Sequence, residues 1–240
     1  MRRALKGKLP EMRKIEGLNA IEEAVKRATE MGKPVQYTFG AARAGAFRGS
    51  ESGASFVAAL SLLSYVARLT AKFKTRLLVT IPQPDVIPLA DDAIRTSYLI
   101  EGVPAQYDSI DTLRFFSTDQ FAYAIGAIEL LTKERPAANF LFGPLLAEAL
   151  MVAETGNAIG AFQISGTASS SQLPFVVTCT DYTMITEEFY AAGAYLSNDP
   201  GQKGVIVGQD LFRLFLMAVI IVNAISITLG SLWLSNFIKL

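Results

Sequence analysis

Histidine is absent from all 240 residues and cysteine occurs once. Without imidazole there is no Ser-His-Asp or Cys-His relay, no imidazole metal ligand and no side chain that ordinarily titrates near neutral pH. The lone Cys179 excludes an intrachain disulfide and the usual multi-cysteine zinc sites. Net charge is missing too: 22 basic residues balance 22 acidic ones, which leaves no global electrostatic case for nucleic acid as a partner. No apolar stretch follows the basic residues at the amino terminus. That end does not read as a secretory signal, and the bulk of the chain is expected to stay on the side where it is made.

What the sequence does have is a long charge-free tail. LFLMAVIIVNAISITLGSLWLS, residues 214–235, holds no acidic or basic side chain. At about 1.5 Å per residue, a helix of this length reaches roughly 33 Å, enough to cross a hydrocarbon core of about 30 Å. The competing reading is a buried or oligomerising helix. Arg2, Arg3, Lys6, Lys8, Arg13 and Lys14 crowd the start of the chain, a pattern suited either to an anionic cytoplasmic bilayer surface or to a solvated arm. These features divide the chain into a basic juxtamembrane arm (1–16), a soluble domain (17–200), a linker (201–212) and a transmembrane helix (213–237). The expected location is the cell membrane, single-pass, with the domain cytoplasmic. Lys203 and Arg213 before the span, against Lys239 after it, agree with that orientation.

Between arm and tail, strand-like and helical patterns alternate. VQYTF (35–39), RLLVTI (76–81), LRFFS (113–117), ANFLFG (138–143), GAFQIS (160–165) and PFVVTC (174–179) read as strands. Helical stretches separate them, and a last soluble helix is expected over 183–196. Apolar strands alternating with helices predict an α/β fold: a three-layer, Rossmann-like, mostly parallel sheet of about six strands. The short link between the fifth and sixth strands predicts an antiparallel pair or a connection of one helical turn.

In such sheets ligands bind beyond the carboxyl ends of the strands, so the loops there supply the candidates. The loop after the first strand combines glycines with two arginines; Arg43, Gly45, Arg48 and Gly49 are its candidate anion-binding residues. It fits neither dinucleotide nor P-loop fingerprint, and an ordinary flexible loop is the plainer reading. Gly166, Thr167, Ser169 and Ser170 could form a nest of amides and hydroxyls, or a simple turn. Asp119 could hold a ribose or a metal, or cap a helix. Cys179 reads as a small buried residue, and Glu148 and Glu154 as solvated or interface positions. Within the tail, Asn223, Ser226 and Gly230 fall on one helical face and are candidates for helix association in lipid. No catalytic set, metal site or cofactor emerges.

EGLNAIEEAVKRATEMGKPVQYTFG, STDQFAYAIG, ERPAANFLFG and TCTDYTMITEEFYAAGAYLS together resemble a prokaryotic family of membrane-anchored α/β proteins known only as a domain of unknown function. The resemblance implies an α/β domain between membrane segments, often with a further helix ahead of the basic arm. This sequence shows no such helix, as a single-span variant or a shortened form would. No catalytic residue comes with the resemblance. The expected function is a non-catalytic scaffold or assembly subunit at the bilayer, as a homo-oligomer or within a larger membrane complex. The alternative is a tethered domain that senses a nucleotide or small anion.

Overall fold

Six strands hydrogen-bond side by side, all parallel: Val35–Phe39 (β1), Leu77–Ile81 (β2), Leu113–Phe115 (β3), Ala138–Phe142 (β4), Phe162–Thr167 (β5) and Tyr182–Ile185 (β6). Their order is β3-β2-β1-β4-β5-β6. The computed structural model describes residues 15–40, 51–197 and 200–228. Around the sheet run α1 (Glu16–Glu30), α2 (Glu51–Phe73), α3 (Ile87–Ile100), α4 (Ser109–Thr112), α5 (Gln120–Glu134), α6 (Glu148–Ala158), α7 (Leu173–Cys179) and α8 (Glu187–Ser197). Helices α1, α2, α3 and α8 cover one face and α5, α6 and α7 the other, which gives the three layers.

The two faces differ chemically. Because side chains alternate along a strand, one face collects Val35, Tyr37, Phe39, Val79, Ile81, Phe140, Phe142 and Ile164, all in the main apolar core. The Tyr37 hydroxyl is satisfied within that core by donating to the Ala59 carbonyl at 2.6 Å. The opposite face mixes Leu78 and Leu141 with Gln36, Thr38, Thr80, Asn139, Gln163, Ser165 and Thr167, every one buried. The strands are thus continuously buried without being continuously apolar.

The first five strands fall where the sequence places them. The sixth does not: 174–179 belong to helix α7, and the sixth strand is YTMI, residues 182–185. Pro174 stands in the first turn of α7, the one part of a helix that tolerates it. Phe175 and Val177 are exposed and only Val176 is buried, as a short helix requires. This helix is the crossover that makes β5 and β6 parallel, so no antiparallel pair forms. The last domain helix accordingly starts at Glu187, after the strand.

The α/β domain ends at Ser197, and the residues beyond it form a second unit. There α9 (Pro200–Thr228) is one unbroken helix of 29 residues. The stretch 201–212, expected as a linker, is part of it. Among the described residues, two helices are long and apolar enough to cross a membrane: Gly53–Phe73 and Gly208–Ile225. The first is 61% buried and the second 0%. The apolarity of α2 is explained by its place between α1, α3 and α8, whereas that of α9 has no such explanation among the described residues. Residues 1–14 of the basic arm expected over 1–16, and residues 229–240, lie outside the described residues.

Candidate functional site

The strand order reverses between β1 and β4, and the crevice beyond their carboxyl ends is where an open parallel sheet takes ligands. Here backbone fills its floor. A side chain at Gly40 would collide with the Pro144 carbonyl and the Leu145 amide. Gly143 takes φ +120, a conformation that favours glycine, and turns the chain back across β1. The turn is held by Gly40 N–H donating to Phe142 O (3.2 Å), Gly143 N–H to Gly166 O (3.1 Å) and Leu145 N–H to Gly143 O (2.9 Å).

Beside this turn lies a carboxylate almost wholly removed from solvent. Glu148, in the first turn of α6, is 1% exposed. Its Oε1 accepts the Leu146 amide at 2.9 Å and its Oε2 accepts Gln120 Nε2 at 2.7 Å. Ala147, at the N-cap of α6, has no side-chain oxygen to offer, and Glu148 reaches back to satisfy the entering chain. One turn along α5 from Gln120, Tyr123 is fully buried; its hydroxyl donates to Phe39 O at 2.9 Å and lies 2.9 Å from Thr80 Oγ1. Burial pushes its phenol far above the ordinary tyrosine range, and the nearby Glu148 charge adds to the rise. Together these groups fasten α5 and α6 to the ends of β1 and β2.

Asp119 sits at the N-cap of α5, its Oδ1 accepting the Phe121 and Ala122 amides at 3.1 and 3.0 Å. Capping accounts for its position. Gly166 and Thr167 end β5 inside the sheet, while Ser169 and Ser170 follow in the loop. Gly166 is dictated by packing: a Cβ there would come within 2.7 Å of the Phe189 ring and 2.9 Å of Phe142, which stack at 6.3 Å. The loop amides are engaged locally. Ser169 N–H donates to Thr167 Oγ1, and the Gln172 and Leu173 amides donate to Ser169 O. These bonds close the loop as a turn. Arg43, Gly45, Arg48 and Gly49 lie outside the described residues. So does Gly230, and of Ser226 only the helical backbone is described; Asn223 lies on α9, its Oδ1 shielded and without a partner among the described residues.

Cys179 ends α7, and burial followed by the Glu154 charge pushes its thiol up, away from thiolate chemistry. Glu154 is exposed, as a solvated or interface position would be, but Glu148 is buried within the domain, which corrects that reading for it. Gln120 and Tyr123 are strand-end residues that sequence alone did not single out, and the burial of Glu148 was not foreseen. A glutamate opening a helix that lacks a capping residue was the available signal. Among the described residues no group of three or more acidic, cysteine or histidine side chains could hold a metal.

On the polar face, Gln36, Asn139 and Gln163 are register partners across β1, β4 and β5. Asn139 Nδ2 donates to Gln163 Oε1 at 2.8 Å, and Gln163 Nε2 donates to the carbonyls of Ala153 (2.8 Å) and Cys179 (3.0 Å). This row ties the sheet to α6 and α7. A second polar set joins the Ser165, Thr180 and Thr183 hydroxyls near the start of β6.

The model of a family described as a domain of unknown function, DUF6754, matches residues 1–238, and the chain belongs to that family. No curated protein and no solved structure matches it.

Proposed function

We propose that this member of the DUF6754 family is a membrane-anchored, non-catalytic assembly subunit in which α9 holds the α/β domain at a bilayer. One observation carries the reading: Leu211, Phe212, Leu214, Phe215, Met217, Ile220, Ile221, Val222 and Ile225 are all exposed around α9. Removing such side chains from water is worth about 1.5–3 kcal/mol each, so the helix is strongly driven into lipid or against other helices. Asn223, with its shielded amide oxygen, supplies a polar group for helix–helix contact inside that apolar surface. The Pro144 carbonyl seated against Gly40 and the turn closed on Ser169 after β5 favour assembly over ligand turnover.

A second reading is a tethered sensor of a nucleotide or small anion. The strand order favours it, since the switch point between β1 and β4 is where open sheets bind such ligands. The Pro144 carbonyl seated against Gly40 counts against it.

Native mass spectrometry of the chain extracted in mild detergent from its own membranes tests both readings. A homo-oligomer or a defined hetero-complex is expected. A lone monomer retaining one phosphate-bearing molecule per chain would replace the assembly reading with the sensor.

A further inference from the structure

The cations of the domain are distributed unevenly along the strand direction. Lys33 lies in the connection entering β1, Lys72 and Lys74 precede β2, and Lys133 and Arg135 precede β4. These are three adjacent strands, laced together at that edge by Val35 N–H donating to Arg76 O (2.9 Å) and Ala137 N–H to Pro34 O (3.0 Å). Lys72, Lys74, Lys133 and Arg135 are exposed, and none of the five enters a described ion pair. Most acids beside them are engaged: Asp111 and Glu134 by Arg76, Glu101 by Arg68, and Asp108 by the Ile110 amide at the start of α4. Glu30 and Asp108 are the exposed acids of the group, and Asp181, which accepts the Gln163 amide, is exposed just before β6. The cationic zone stops at β4, because no lysine or arginine occurs between Arg135 and Lys203.

The opposite edge has another character. Phe121, Leu146, Phe175 and Ile185 are exposed at or just beyond the carboxyl ends of strands, with Asp85, Asp92, Asp119 and Glu187 exposed among the same connections. Arg43 and Arg48 belong to the one connection there that lies outside the described residues.

The last helix of the domain runs toward the cationic edge. Helix α8 starts just after the carboxyl end of β6 and runs beside α2 in the same direction: the Ser55 and Tyr190 hydroxyls lie 3.1 Å apart, and Gly193 packs on Ala58. Its last residue, Ser197, therefore lies farther from the carboxyl edge than its first.

The geometry points to the amino-terminal edge of the sheet as a docking surface for an anionic lipid bilayer, with Lys72, Lys74, Lys133 and Arg135 against the headgroups and the carboxyl edge turned to the aqueous side. This inference rests on the anchoring role of α9 proposed above. Each cation brought near an anionic surface strengthens attachment by about fivefold. Ionic strength screens it, because the Debye length is only about 8 Å under physiological conditions. The described acids of the carboxyl edge, Asp85, Asp92, Asp119 and Glu187, would be repelled by the same surface, so charge complementarity among the described residues favours the amino edge.

The test uses the full chain with Cys179→Ser, reconstituted into phosphatidylcholine vesicles with or without phosphatidylglycerol. A fluorophore is attached at Thr132→Cys (amino edge), Ser171→Cys (carboxyl edge) or Ala218→Cys (α9), and headgroup nitroxide lipids serve as quenchers. Quenching of the Thr132→Cys probe at least fivefold stronger than that of the Ser171→Cys probe is expected in anionic vesicles. It should be lost in high salt or on combining Lys72→Glu, Lys74→Glu and Lys133→Glu. Salt acts on the unaltered surface, so the result does not depend on the glutamate variant folding. Quenching of the Ser171→Cys probe instead, or of neither edge, overturns the inference, while an Ala218→Cys probe protected from an aqueous quencher leaves the anchor standing. An Ala218→Cys probe open to the aqueous quencher overturns the anchoring reading itself, and this inference with it.

Discussion

The hydroxyl of Tyr123 donates to the carbonyl of Phe39 at 2.9 Å and joins the second turn of α5 to the last residue of β1. Neither group reaches water, so the bond has no solvent substitute. Tyr123→Phe should lower unfolding stability by about 1–3 kcal/mol, because the Phe39 carbonyl loses this donor inside the protein. Urea denaturation of the domain with unchanged slope and a lower midpoint would show it; an unchanged midpoint would mean that the contact contributes nothing.

Glu148 should be equally sensitive, for a different reason. Its carboxylate takes one hydrogen bond from the chain entering α6 and another from Gln120. Glu148→Ala strands both donors and should cost about 2–4 kcal/mol, with Glu148→Gln recovering part of the loss. If the alanine and glutamine variants melt alike, the carboxylate is not what holds this junction.

Stability should fall on the alkaline side. Burial raises the phenols of Tyr37, Tyr98 and Tyr123, and burial together with the Glu188 carboxylate pushes Tyr182 up to about 12. A raised folded pKa means that the unfolded chain loses its proton first. The stabilising contribution is therefore complete below about pH 10 and disappears as pH rises through the folded values. Tyrosinate absorbance for the fully buried phenols should appear together with loss of tertiary circular dichroism. Smooth titration at about pH 10 with the fold intact would contradict their burial.

Gly166 offers a steric test. A methyl group at this position meets the rings of Phe142 and Phe189, and Gly166→Ala should cost about 1–3 kcal/mol through overpacking. Gly166→Ala combined with Phe189→Leu should recover some of that loss, an outcome that loss of backbone freedom alone would not produce.

The anchor can be tested by a single charge. Ile221→Arg places a guanidinium in the middle of the apolar run of α9, at about 2.5–3.5 kcal/mol for a charge at the bilayer centre. The chain should shift from the alkali-resistant membrane fraction toward the soluble one. Full retention would show that α9 is not what holds it there.

Much of this architecture was legible because buried strands leave compact apolar runs between turn residues, as VQYTF and ANFLF do before Gly40 and Gly143. The sixth strand was hidden by a local conflict. PFVVTC carries two valines and an aromatic, strand-forming residues that here occupy one short helix under the constraint of a parallel crossover. YTMI is only four residues long and runs straight into the glutamates of α8, so it merged with that helix in the pattern. The strand-end loops were located by topology alone. Their chemistry was not legible, because whether Glu148 is solvated or Gly166 is crowded depends on partners distant in sequence. The Gln36–Asn139–Gln163 row is invisible for the same reason, since pairing register is not written in any one segment.

The order of strands also bears on how the sheet is assembled as the chain leaves the ribosome. β2 pairs with β1 and β3 with β2; β4 then returns to the free side of β1, and β5 and β6 are added outward in turn. Every strand after the first emerges to find its neighbour already made. The sheet can grow outward from β1 in both directions during synthesis, with β1 holding one open flank until residue 138 arrives.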